Sequence, residues 1–216
     1  MSTIWCAIRT YSAHAKEMGV KVPAKPEYFL KPAAALLSST IDDVKTILVP
    51  DDRSIQHELE LVLRIGEISE NGDIKIDAVC VGLDLTNRVI QSELKKEGLP
   101  WARCKSFKDS AVIGDWCEIP GQRFSEIENN WRMKLMVNSQ LRMSAKISEM
   151  IRTPSALTAA LGEWAPLEKG DLIFTGTPEG VDWLCGGDIV EAHLLDGDGI
   201  VKSRLIANFE RPSDLK

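Results

Sequence analysis

Apolar and polar positions along this chain alternate mostly with a period of two and only briefly with the period of a helix, so strands outnumber helices. Residues 4–8, 46–49, 57–65 and 78–85 read as strands, the second pair separated by an Asn71-Gly72 turn between Ile68 and Ile74. Further along, residues 132–137 and 140–143 read as a hairpin whose Asn138-Ser139 turn lacks the usual Gly. Residues 171–175, 188–195 and 201–209 complete the strands, the last two joined through Asp196-Gly197-Asp198-Gly199. Three segments switch to helical spacing. Residues 12–18 form a short helix with Ser12 as N-cap and Gly19 as stop. Residues 87–97 carry Val89, Ile90 and Leu94 as one apolar stripe before Gly98, and residues 155–163 follow Pro154. Pro23, Pro26 and Pro32 make residues 22–32 an irregular arm. Strands that mostly follow one another, without an alternating βαβ series, give an α+β class: a mixed, largely antiparallel sheet with a few short helices.

Length and charge narrow the function. A chain of 216 residues with 44% hydrophobic and 27% charged positions builds one good core, so one domain spanning residues 1–216 is the expectation. The net charge of −6, with no long run of like charges, points away from nucleic acid and anionic membranes as partners. The first residues show no secretory pattern, and nothing approaches the run of about 18 apolar residues that a membrane span needs, so a cytoplasmic protein is expected. Cys6, Cys80, Cys104, Cys117 and Cys185 are widely spaced and form no CxxC pair, which suggests buried free thiols and no zinc site.

The strongest chemical signal is His57-Glu58-Leu59-Glu60 followed by Gly82-Leu83-Asp84-Leu85-Thr86. In a strand, residues two apart share a face about 6.5–7 Å apart, so Glu58 and Glu60 point together. Joined by Asp84, they make an all-oxygen donor set for a hard divalent ion, Mg²⁺ or Mn²⁺ before Zn²⁺. The pair taken alone equally describes the wet face of an amphipathic strand, and spacing does not show whether Asp84 comes near. His14 and Glu17, three apart on the short helix, are neighbours in which a carboxylate can orient an imidazole as a base. Lys105, Arg88 and Gln91 are candidate anion holders downstream of Asp84. Thr177 sits in the tight loop Thr175-Gly176-Thr177-Pro178-Glu179-Gly180, whose backbone N–H groups suit a carboxylate. His57 faces away from the glutamates and reads as a packed residue, and His193 has no assigned role.

Taken together, these segments resemble the fumarylacetoacetate hydrolase family, in particular its acylpyruvase and oxaloacetate decarboxylase branch. Tyr11-x-x-His14-x-x-Glu17, Phe29-Leu30-Lys31-Pro32, His57-Glu58-Leu59-Glu60 and Gly82-x-Asp84-x-Thr86-x-Arg88-x-x-Gln91 occur in the family's order. Gly98-Leu99-Pro100-Trp101, Lys105-Ser106-Phe107 and Gly170-Asp171-Leu172-Ile173-x-Thr175-Gly176-Thr177-Pro178 continue it. The resemblance implies a sheet curled into a roll, a homodimer, and a small 2-oxo acid as substrate. By the same resemblance Glu58, Glu60 and Asp84 hold Mg²⁺ or Mn²⁺, and Lys105 contacts the 2-oxo acid end. Arg88 and Gln91 line the pocket, Thr177 helps hold a carboxylate, and His14 and Glu17 form a dyad on a lid within the N-terminal 45 residues. The implied reaction is C–C cleavage to a pyruvate enolate, by hydrolysis of an acylpyruvate, decarboxylation of oxaloacetate, or both.

Three departures from the pattern bear on the substrate. Ile8-Arg9-Thr10-Tyr11 stands where relatives often have Gly-Arg-Asn-Tyr, Ala33-Ala34-Ala35 stands where a serine often follows Lys-Pro, and Met143 and Ile147 replace polar residues. The last motivates a second reading, an isomerase, decarboxylase or hydrolase of a longer unsaturated 2-oxo dioic acid. A third is a metal- and 2-oxo-acid-binding homologue without turnover.

Overall fold

The computed structural model describes residues 2–17, 19, 21–50, 54–119 and 124–212, without the side chains of residues 14 and 15. The longest sheet has eight strands. Seven lie side by side in the order Tyr28–Lys31, Ile4–Ala7, Leu172–Phe174, Leu59–Ile68, Ile74–Asp84, Ala111–Ile113 and Leu36–Ser38. Cys117–Glu118 pairs with Ile74–Asp84 outside that path. A second sheet of five strands runs Gln140–Lys146, Arg132–Val137, Ile189–Leu195, Val201–Glu210, Lys45–Leu48. A third, small sheet joins Asp182–Leu184, Ile55–His57 and Thr86–Asn87. Three pairings are parallel, those of Ile4–Ala7 with Leu172–Phe174, Leu36–Ser38 with Ala111–Ile113, and Val201–Glu210 with Lys45–Leu48. The others are antiparallel, so the sheets are mixed and largely antiparallel, as the pattern predicts.

The chain itself forces the large sheet to curl. Its two edge strands, Tyr28–Lys31 and Leu36–Ser38, are joined only through Pro32 and the 3₁₀ turn Ala33–Ala35. Seven flat strands would hold those edges about 29 Å apart at the usual spacing between strands. The link from Lys31 to Leu36 spans at most about 17 Å. The sheet therefore rolls until its edges nearly meet, and what read as an irregular proline arm ends in an edge strand at that seam.

Strand Leu59–Ile68 is buried on both sides along most of its length, which explains its nearly continuous apolar run. Leu59, Leu61, Leu63 and Ile65 join Val79, Val81 and Leu83 in a large core shared with Met133, Leu135, Val190, Leu205 and Phe209 of the five-stranded sheet. Val62 and Cys80 turn the other way, into a smaller cluster with Ile4, Cys6, Leu172 and Phe174 inside the roll. Cys6, Cys80 and Cys104 are buried free thiols, while Cys117 and Cys185 are half-buried.

The turns follow local chemistry. Asn138 and Ser139 both take positive φ, 51° and 63°, and so complete the two-residue hairpin without glycine. Helix Arg88–Glu97 starts on the Asn87 side chain, which accepts from the Ile90 N–H, and stops at left-handed Gly98. Its buried face differs from the expected stripe: Gln91 and Leu94 are buried, whereas Val89 is 49% exposed. The helix is rotated because it packs beside a polar pocket. Among the described residues no helix is long and apolar enough to cross a membrane.

Candidate metal centre

The site forms where two long strands end. Leu59 pairs with Leu83 and Glu60 with Gly82, and the Asp84 N–H continues the ladder to the Glu58 carbonyl at 2.9 Å. Glu58 and Asp84 are thus cross-strand neighbours, with Glu60 two residues along on the same side. Gly82 makes room: a Cβ there would lie 2.6 Å from the Val62 side chain and 2.9 Å from the Val112 carbonyl oxygen. Ligand oxygens of Glu58, Glu60 and Asp84 all lie within 4.8 Å of one another, and all three residues are buried. The solvated-face alternative for Glu58 and Glu60 does not hold.

Two ammonium groups serve these acids. Lys105, on the short helix Ala102–Lys105, places Nζ 2.7 Å from Glu58 Oε2, 2.5 Å from Asp84 Oδ2 and 2.5 Å from Thr86 Oγ1, 4.9 Å from the Phe29 ring centroid. Lys31, completely buried at the seam of the roll, lies 2.8 Å from Asp84 Oδ1. Its ammonium also donates to the carbonyls of Leu85 (3.2 Å), Lys105 (2.5 Å) and Ser110 (2.8 Å). Sequence reasoning gave Lys31 no role, since a lysine in a proline-rich arm reads as solvated. Arg88 joins from the first turn of its helix, with Nη2 2.5 Å from Glu58 Oε1, Nη1 2.5 Å from Gln91 Oε1 and Nε 2.6 Å from Gln56 Oε1. Gln56 is a second residue that the sequence did not flag.

Glu60 is held differently. Its Oε2 accepts from the Gly176 N–H at 2.6 Å, so a loop amide expected to hold a ligand carboxylate instead holds a carboxylate of the protein. Only glycine fits there: φ is +96° and a Cβ would lie 2.0 Å from Thr10 Oγ1. Burial raises the Glu60 pKa well above the usual carboxylate range, and Asp84 and Glu58 push it further, against Lys105 and the Gly176 N–H. Burial alone would lower the Lys105 pKa, but Asp84 and Glu58 outweigh it and push it up. Among the described residues the three cations pair with Asp84 and Glu58, and Glu60 is held by the Gly176 N–H. Three buried oxygen donors without Cys or His fit a hard divalent cation.

The triad, Arg88, Gln91, Lys105 and Thr177 line one small pocket of about 60 Å³, together with Arg9, Phe29 and Trp101. Seven of the nine residues singled out in the sequence therefore meet. The other two belong to helix Ser12–Glu17, just after Ile8 and Arg9 at the pocket wall. The His14 side chain lies outside the described residues, and Glu17 is exposed and does not line the pocket. His57 is buried on the opposite side of its strand with neither ring nitrogen hydrogen-bonded, and burial lowers its pKa from 6.5 to about 4. His193 lies elsewhere, 2.6 Å from Glu191. Met143 and Ile147, whose departure from the family pattern suggested a different substrate, pack into the large core and do not line the pocket.

Known proteins share this architecture. A family profile, fumarylacetoacetate (FAA) hydrolase C-terminal, matches residues 3–206. An oxaloacetate tautomerase of Escherichia coli is 34% identical over 194 residues, which cover 87% of this chain and 86% of that protein. A mitochondrial oxaloacetate tautomerase of Mus musculus is 34% identical over 209 residues, 93% of this chain and 89% of that one. The crystal structure of a fumarylpyruvate hydrolase from Pseudomonas aeruginosa, in complex with Mn²⁺ and pyruvate, superposes with a TM-score of 0.82 at 29% identity, covering 98% of this chain and 90% of that chain.

Proposed function

The chain belongs to the fumarylacetoacetate hydrolase family, and from that premise we propose that it is a Mg²⁺- or Mn²⁺-dependent enzyme acting on a small 2-oxo acid through a pyruvate-type enolate. The observation that carries this reading is the convergence of three buried carboxylates within 4.8 Å at the floor of a small pocket. Glu58, Glu60 and Asp84 would hold the ion, which when bound supplies electrophilic stabilisation to the enolate.

The remaining chemistry belongs to the chain. Lys105 carries a positive charge, reinforced by Asp84 and Glu58, to the place where the enolate oxygen develops. Arg88 and Gln91, tied to each other, orient Glu58 and line the wall against which the acid lies. Thr177 offers a hydroxyl to the carboxylate end. Three reactions would each pass through an enolate at C2, the first two through that of pyruvate and the third through that of oxaloacetate itself. Oxaloacetate can lose CO₂ to leave the pyruvate enolate; an acylpyruvate yields it when water, activated by His14 and Glu17, attacks the distal carbonyl; proton loss from C3 of oxaloacetate and return to oxygen gives the enol. The names of the Escherichia coli and Mus musculus relatives favour this third, tautomeric outcome, and the small pocket favours oxaloacetate over a longer dioic acid. We also propose a homodimer, which light scattering would test.

The deciding experiment assays chelator-treated protein, before and after Mg²⁺ or Mn²⁺ is restored, on oxaloacetate, an acylpyruvate and unsaturated 2-oxo dioic acids. Turnover that returns with the metal and disappears in Glu58→Gln is expected. Full activity of Glu58→Gln rejects the reading, and oxalate binding without turnover on any substrate favours the silent homologue. His14→Ala should lose acylpyruvate hydrolysis far more than oxaloacetate chemistry, and equal losses would remove water activation from its role.

A further inference from the structure

The pocket wall carries two cations that the chemistry above does not use, Arg9 and Lys95. Lys95 shares its helix with Arg88 and Gln91, and offsets of three and seven put all three on one face. Seven residues of helical rise place Lys95 about 10 Å along the helix from Arg88. Lys95 is exposed, its ammonium lies over the Trp101 ring, 5.3 Å from the centroid, and among the described residues it pairs with no carboxylate. Arg9 lines the same pocket in a left-handed conformation, φ 56°, where a bulky residue is uncommon. Such strain persists only where the surroundings enforce it, at a cost of about 1–3 kcal/mol, and it gathers at ligand sites. One guanidinium nitrogen of Arg9 donates to the Lys21 carbonyl at 3.1 Å, which anchors the side chain. The two cations also feel each other: after burial, Arg88 and Arg9 are the chief causes that lower the Lys95 pKa.

We infer that Arg9 and Lys95 form a second anion subsite at the mouth of the pocket, which takes the distal carboxylate of a dicarboxylic 2-oxo acid. An anion seated there relieves the repulsion among Arg9, Lys95 and Arg88, whereas an uncharged chain end leaves it in place. The pocket thereby selects dicarboxylates over monocarboxylates of equal length. This inference rests on the 2-oxo acid reading and adds the residues that set its specificity.

The test is calorimetric, on the full chain with Mg²⁺, using 2-oxopentanedioate and 2-oxopentanoate, which differ only in the distal carboxylate. Wild type should bind oxalate; failure there sinks the 2-oxo acid reading, and this inference with it. Given oxalate binding, the dioate should be preferred about tenfold, and Lys95→Gln should cut that ratio about fivefold, as expected for one partly screened ion pair. Lys95→Arg should restore it, which a merely structural role for the helix residue would not require. Arg9→Asn, chosen because Asn tolerates the left-handed backbone, should lower the ratio independently. A wild type without preference, or a ratio unchanged in both Lys95→Gln and Arg9→Asn, overturns the subsite.

Discussion

The strands Leu59–Ile68 and Ile74–Asp84 carry clusters of opposite charges toward both of their ends, and the two differ chiefly in their access to water. At the outer cluster Arg64 meets Asp77 at 2.7 Å and Glu118 at 2.9 Å and lies 5.2 Å from the centre of the Trp116 ring, with side chains 27%, 38% and 64% exposed. At the inner cluster Lys31 and Lys105 meet Asp84 with side chains 0%, 3% and 1% exposed. The distances match, yet the same pair interacts several times more strongly away from water, and a charge stripped of its partner there costs far more. The outer cluster decorates a surface; the inner one holds charge that its surroundings make expensive to unbalance, which is the condition for holding a cation and an enolate.

Asp84→Asn is the harshest way to break this contrast. It leaves two ammonium groups in the interior facing an amide, and should remove metal-dependent turnover together with about 3–5 kcal/mol of stability. Thermal unfolding and Mn²⁺ titration check it, and a variant that melts like wild type and still binds Mn²⁺ would show that burial matters little here. Gly176→Ala comes next. At φ +96°, with Thr10 in the way, it should cost about 3 kcal/mol and release Glu60, while Gly72→Ala, at φ +84° with open space around it, should cost about 1 kcal/mol. Denaturant midpoints separate them, and equal costs would deny that the Glu60 anchor is tightly packed.

His57 sharpens the comparison, being an ionisable group buried with neither ring nitrogen hydrogen-bonded among the described residues. Its folded pKa, about 4, lies below the 6.5 of the unfolded chain, so the unfolded state takes up the proton first. Its contribution is complete above pH 6.5 and disappears as pH falls towards 4. The loss is on the order of 2–3 kcal/mol. Melting curves across that range should flatten in His57→Leu, and an unchanged slope would assign the acid sensitivity elsewhere. Smallest is Arg64→Met at the outer cluster, expected within about 1 kcal/mol of wild type in the same unfolding assay.

Much of this was legible before any coordinates. Glu58 and Glu60 share a face because strand geometry requires it, and the motif order around Asp84 supplied the third acid. The stop at Gly98 and the turn at Asn138 that lacks the usual glycine follow from local chemistry. Local chemistry fails where the answer depends on curling. Lys31 is buried only because the sheet closes on itself, and no pattern within a proline-rich arm encodes that. The helix after Asp84 misleads for a related reason: its apolar positions suggested Val89 toward the core, but the neighbour it meets is a polar pocket, so Gln91 is buried and Arg88 turns toward the pocket. The Gly176 loop was recognised as a carboxylate holder, while its partner, a glutamate more than a hundred positions away, was not.

The seam between Tyr28–Lys31 and Leu36–Ser38 has one more consequence. Peeling the first of these strands away would bare a row of backbone donors and acceptors to any neighbouring chain and, in the same movement, take the second ammonium from Asp84. Loss of activity on heating and the first step toward aggregation would then begin at a single hinge point, Pro32.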